Sequence, residues 1–239
     1  MQRIYSLENK SKTKSFKTSV LVDKNGRFFA KIAEGGVLLE VDKFDDLNDL
    51  NMPSNCSSIV LSTSAATIVP EELFDYSQRQ AFIEAAGIYP TADEVVEVST
   101  AVDGVVAVML LNRQLADRLK EFKVPRYHSV QINLIRARDK KLRTGRVLLM
   151  NMGEDSLTVT LHTDGKLRLA EVFPIANNDE VLFIVKHIER KFPAVQGVTK
   201  IFGLGATQCY EYLTQFVDSI EMDIVDESGV EYNNLILGI

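Results

Sequence analysis

Residues Asn151 to Ile175, NMGEDSLTVTLHTDGKLRLAEVFPI, decide the fold. Leu157, Val159 and Leu161 alternate with polar neighbours up to Asp164-Gly165, and Leu167 and Leu169 resume the alternation after it. A period of two marks strands with one apolar face, and Asp-Gly supplies two residues that tolerate positive φ. The stretch therefore predicts a β-hairpin. Ahead of it, Asn151-Met152-Gly153 predicts a turn in which glycine lets backbone N–H groups approach a phosphate.

Working outward, TSVLVDKNGRFFAKI shows a related pattern, with Val20 and Val22 before Asn25-Gly26 and Phe28 and Ala30 after it. The two turns, at Asn25 and Asp164, stand 139 residues apart. Beyond the first come a strand at Val37 to Val41, a helix near Lys43 to Leu50, a strand at Ser58 to Ser62 and a helix opened by Pro70-Glu71. Beyond the second come a helix from Asn178 to Lys191, a strand at Val198 to Phe202 and a helix near Ala206 to Val217. The order predicts two copies of one β-rich α/β unit, alike in pattern and not in identity. Between them, VVEVSTAVDGVVAV predicts a further Asp-Gly strand pair, then a helix capped by Asn112 with Leu115, Leu119 and Phe122 on one stripe. The basic run RARDKKLR after Ile135 reads as a solvated helix end.

A chain of 239 residues that is 46% hydrophobic and 25% charged buries a sizeable core and lies outside the disordered class. Its net charge of −6 offers no broad positive field, so nucleic acid is not expected as a partner. Cys56 and Cys209 belong to no C-x-x-C spacing and read as free thiols. No window reaches the roughly 18 apolar residues that span a bilayer, and the expected location is the cytoplasm.

With the duplicated units in place, VLLMNMGEDSLTVTLHTDGKLRLAEVFPI resembles the second phosphate-binding segment of actin-like ATPases, in particular bacterial pilus-assembly and type II secretion proteins. TIVPEELFD with the following hairpin and helix is similar to an uncharacterised bacterial domain-of-unknown-function family, numbered 3822. The resemblance implies an α/β fold of two ribonuclease H-like lobes in an actin-like arrangement. The first lobe spans 1–141 with an inserted hairpin and helix, and the second spans 142–239. It also implies a nucleotide cleft. Asn151 falls where those proteins have Asp, Gly153 on their Gly, Ser156 on their turn hydroxyl and Pro174-Ile175 on their Pro-Ile, while Ala176-Asn177 replaces Gly-Gly. Gly203 and Gly205 take the place of the adenosine-contacting glycines. The equivalent loop of the first lobe is expected in LENKSKTKSFK, where Lys12 and Lys14 offer charge and no Asp-x-Gly occurs.

These departures bear on chemistry. Asn151 carries no charge with which to organise Mg²⁺. His128, His162 and His187 share no metal-ligand spacing and read as structural. Asp23 and Asp164 read as turn acids, so a two-metal nuclease is not expected. The expectation is a non-catalytic actin-like scaffold with no cofactor, acting through an unidentified protein partner or as a homodimer. The alternative is a residual ATP–Mg binder or slow ATPase using Asn151, Gly153, Ser156, Gly203, Gly205, Lys12 and Lys14.

Overall fold

The computed structural model describes residues 2–6, 17–22, 28–34, 37–44, 56–63, 65–121, 127–136, 145–153, 155–193, 197–203, 206–218 and 220–222. In chain order the first strands are β1 (Gln2–Ser6), β2 (Lys17–Val22), β3 (Phe28–Glu34), β4 (Val37–Phe44) and β5 (Cys56–Leu61). Next come β6 (Ala66–Pro70), two short 3-10 turns (Glu71–Leu73 and Tyr76–Gln78), α1 (Arg79–Ala85), β7 (Glu94–Val98), β8 (Val105–Asn112) and α2 (Arg113–Glu121). The remainder is β9 (Tyr127–Ser129), α3 (Val130–Arg136), β10 (Arg146–Met152), β11 (Ser156–Thr163), β12 (Lys166–Pro174), α4 (Asn178–Lys191), β13 (Gly197–Gly203), α5 (Ala206–Leu213) and β14 (Ile220–Met222).

Two large sheets repeat one topology. The first runs β1-β4-β3-β2-β5-β9 and the second β12-β11-β10-β13-β14. Leaving out the extra edge strand β1, each places its first strand in the middle. That strand is antiparallel to the second, which is antiparallel to the third, and it is parallel to the fourth, which is parallel to the fifth. Hence β2 matches β10, β3 matches β11, β4 matches β12, β5 matches β13 and β9 matches β14. This is the ribonuclease H-like arrangement, present twice.

The duplication expected from the sequence holds, but its alignment shifts by one strand. Asn25-Gly26 lies between the first and second strands of its sheet, whereas Asp164-Gly165 lies between the second and third of its own. The counterpart of 23–27 is therefore the Gly153–Asp155 turn. Strand pairing says the same, because Val22 pairs with Phe28 and Leu61 just as Met152 pairs with Leu157 and Gly203. Two adjacent apolar hairpins look alike by period, and only long-range pairing distinguishes them.

Between β5 and α2 the first lobe carries an insertion, residues 66–112, whose strands pair as a separate sheet in the order β6-β8-β7. Its Asp103-Gly104 turn has φ of 51° and 77°, and Asp164-Gly165 has 49° and 74°. Both residues of each turn sit in the left-handed region that Asp-Gly foretells. Pro70 closes β6 and the α-helix expected to open there begins only at Arg79. At α2, Asn112 Oδ1 accepts from Gln114 N at 2.9 Å, and Leu115 and Leu119 are buried. Phe122 lies outside the described residues.

The second core is built from one face of β10 and β11, with Leu148, Met150, Leu157, Val159 and Leu161 packed against Val181 and Val185 of α4 and Cys209 and Leu213 of α5. Each such side chain contributes on the order of 1.5–3 kcal/mol by leaving water. α4 spans the residues expected of it. Asn177 Oδ1 accepts from Glu180 N at 3.0 Å while the Glu180 carboxylate accepts from Ala176 N at 2.8 Å, which satisfies two donors at the helix start. The opposite face of β11 is polar, yet Ser156, Thr158, Thr160 and His162 are all buried. α3 covers that sheet. Its residues Val130 to Ile135 are buried, and Gln131 Nε2 donates to Ala170 O of β12 at 3.2 Å.

Candidate functional site

The corner where β10 turns into β11, beside the end of β13, gathers most of the expected site. Asn151 lies between Met150 and Met152, whose side chains enter the core beneath α4 and α5, so its own side chain takes the other face of the sheet. It is 4% exposed, and its Oδ1 has no hydrogen-bond partner among the described residues. Phe202, buried on the same face of β13, stands beside it in the parallel register. Thr158 stands beside it on β11.

Gly153 is required by closeness. A Cβ there would lie 2.8 Å from Ser156 Oγ. Its N–H donates to Ser156 O at 2.7 Å, so that amide is consumed inside the turn, and Ile175 N closes the neighbouring loop onto Asp155 O at 3.0 Å. Gly203 is held more tightly still. Its φ is +95°, and a Cβ would fall 2.3 Å from Met152 O and 2.5 Å from Asn151 Oδ1. The last residue of β13 thus presses its backbone against the tip of β10. No side chain can take that place.

The structure therefore brings together Asn151, Gly153, Ser156 and Gly203. Gly205 lies outside the described residues, as do Lys12 and Lys14, which belong to the segment 7–16 between β1 and β2. By strand order the first lobe's counterpart of the Gly153 turn is 23–27, Asp23-Lys24-Asn25-Gly26-Arg27, and not the lysine segment. Those five residues also lie outside the described residues. An acid directly after the apolar strand Val20–Val22, with glycine three positions on, was the signal for it, and reading the segment as an ordinary hairpin turn concealed it.

ATP with Mg²⁺ is the group that such a corner serves in related folds, and the described residues of the second lobe fit it poorly. Asn151 is neutral, the Gly153 amide is committed to Ser156, and Phe202 lines the same face. Among the described residues no group of three or more His, Cys, Asp or Glu side chains is placed to hold a metal. His128 and His162 are buried, and His187 is exposed with its ring stacked on Phe183, centroids 6.2 Å apart.

The match to a known family decides the membership. The model of the family described as "Protein of unknown function (DUF3822)" covers residues 50–208. The chain belongs to that family. No curated protein matches it. Among solved structures it is similar to a Bacteroides thetaiotaomicron protein with actin-like ATPase fold and unknown function, at a TM-score of 0.75 and 14% identity over 98% of this chain and 100% of that one. It is also similar to a chain of the PilM–PilN type IV pilus biogenesis complex, at a TM-score of 0.54 and 12% identity over 90% of each. The cytoplasmic domain of EpsL, an inner-membrane component of the Vibrio cholerae type II secretion system, aligns at a TM-score of 0.49 and 12% identity over 93% of each. The chain thus has the actin-like ATPase fold, in agreement with the twofold strand order. Among the described residues no helix is long and apolar enough to cross a membrane.

Proposed function

We propose that this protein is a non-catalytic actin-like scaffold that works through protein contacts. The observation that carries the reading is the second-lobe corner. Asn151 stands where a metal-organising acid would be needed, and the Gly153 N–H that would meet a phosphate is closed onto Ser156 O. A divalent ion positioned for phosphoanhydride cleavage draws on protein carboxylates together with phosphate oxygens, and Asn151 supplies none at its position. That one structural neighbour is part of a two-protein pilus assembly is in keeping with a protein partner.

A second reading is residual nucleotide binding, and one observation favours it. Strand order gives the first lobe Asp23 directly after β2, an acid where the second lobe has Gly153. Mg²⁺ is often held by one carboxylate plus substrate phosphates. A thermal-shift titration with Mg-ATP separates the two, since a ligand that binds the folded state raises the midpoint by mass action. The scaffold reading expects no saturable shift. A saturable shift at sub-millimolar nucleotide that Asp23→Ala abolishes would establish the second reading.

A further inference from the structure

The insertion of the first lobe has a surface that the fold does not need. Leu73 is 66% exposed, Tyr76 59% and Tyr89 72%, which makes three of the five large exposed hydrophobics of the described residues, all within 66–112. Leu73 and Tyr76 bracket Phe74, whose ring meets Tyr76 edge-on at 6.5 Å and packs on Phe82 at 5.6 Å. Phe74 is thereby tied to the small core of the insertion, and its two neighbours are left outward. Large apolar side chains gathered in one exposed segment mark contact surfaces.

The charge around them selects the partner. Residues 66–112 contain eight acids and one base, Arg79, a net charge of −7, while the whole chain carries −6 and the remaining residues therefore total +1. Glu71, Glu72 and Asp75 flank Leu73 and Tyr76 and are exposed. Arg79 offsets only one of these three charges, and it is held in place locally. Its guanidinium lies 4.7 Å from the Tyr76 ring centroid, and it donates to Tyr76 O at 3.2 Å and Val96 O at 3.3 Å. These contacts also hold Tyr76 in place and cover a carbonyl of β7, an edge strand of the insertion sheet. An acidic, apolar, rigid patch repels nucleic acid and anionic lipid and attracts cations joined to apolar anchors.

We infer that the Glu71–Tyr76 face of the insertion is a docking surface for a basic amphipathic segment of another protein, one whose aliphatic or aromatic residues seat on Leu73 and Tyr76 between Lys or Arg side chains. The inference deepens the scaffold reading and rests on it, since it names the chemistry of the partner that a scaffold requires. Electrostatic attraction steers the encounter, and the exposed apolar pair supplies the buried contact area.

Fluorescence anisotropy on the full chain tests this with a labelled synthetic peptide of Lys and Leu, apolar at i, i+3, i+4 and i+7, against the same pattern built from Glu and Leu. The Lys peptide is expected to bind saturably and the Glu peptide not at all. Leu73→Ser with Tyr76→Ser weakens binding about tenfold or more, and Glu71→Gln with Glu72→Gln weakens it and flattens its salt dependence. The Glu71→Gln with Glu72→Gln variant keeps the wild-type melting midpoint, because its side chains are exposed, and Leu73→Ser with Tyr76→Ser stays folded with a midpoint lowered by no more than the loss of the Tyr76 ring contacts. Equal affinity of the variants and the wild type overturns the docking surface. So does self-association of the wild type that Leu73→Ser with Tyr76→Ser abolishes, which would make the occupant a second copy. Mg-ATP binding by the same sample would instead remove the scaffold reading, so the two failures remain distinguishable.

Discussion

Gly203 shows how much one residue decides. A side chain there would have to displace the Met152 carbonyl, and the backbone is in a region that L-residues avoid. Gly203→Ala is expected to cost at least about 2 kcal/mol, measured by urea unfolding. The sequence marked this glycine through its strand-to-helix junction, but the reason was hidden, because its constraint comes from a strand some fifty residues away in the chain. Asn151 was legible by position and its burial was not. Asn151→Asp would place a buried carboxylate where Oδ1 has no partner among the described residues, so the variant is expected to melt below the wild type at neutral pH and to recover as pH falls and the acid protonates. Cys209 gives a second pH test. Burial raises its thiol from 9.0 to about 11, so the unfolded chain loses that proton first. Its contribution to stability is complete below about pH 9 and declines as pH rises from there toward 11, and Cys209 is expected to resist alkylation in the folded protein at pH 8.

At the scale of elements, the helices that announce themselves by caps and period were readable. α4 is one, with Asn177 and Glu180 closing its start, and Asn177→Ala is expected to cost about 1 kcal/mol by thermal melting. β11 behaves otherwise. Its alternation correctly gave a strand with Leu157, Val159 and Leu161 in a core, yet period two cannot say whether the polar face meets water. Here it meets α3, a short helix with no solvent stripe to reveal it, and six consecutive residues of that helix are buried. Thr160 pays for this arrangement with a fully buried hydroxyl that has no partner among the described residues. Thr160→Val is accordingly expected to raise stability by about 1 kcal/mol, and a fall of that size in the same denaturation experiment would show that the hydroxyl is satisfied.

Across the whole molecule, two sheets with the same strand order, one of them carrying an insertion, make the actin-like fold. The duplication could be read from turns and apolar runs. The alignment of the two copies could not, because β-hairpins in succession are interchangeable by pattern and only parallel pairing of β2 with β5 and of β10 with β13 fixes which strand is first. That shift moved the first lobe's counterpart loop onto the segment that begins at Asp23, opposite the Gly153–Asp155 turn of the second lobe. The molecule is asymmetric in its charge as well as in its insertion, because residues 66–112 carry a net −7 and the rest of the chain a net +1. Isothermal titration calorimetry of the full chain with Mg-ATP tests this account most directly. No saturable heat up to millimolar nucleotide is the expected result, and a one-to-one isotherm with a sub-millimolar dissociation constant, lost in Asp23→Ala, would contradict it.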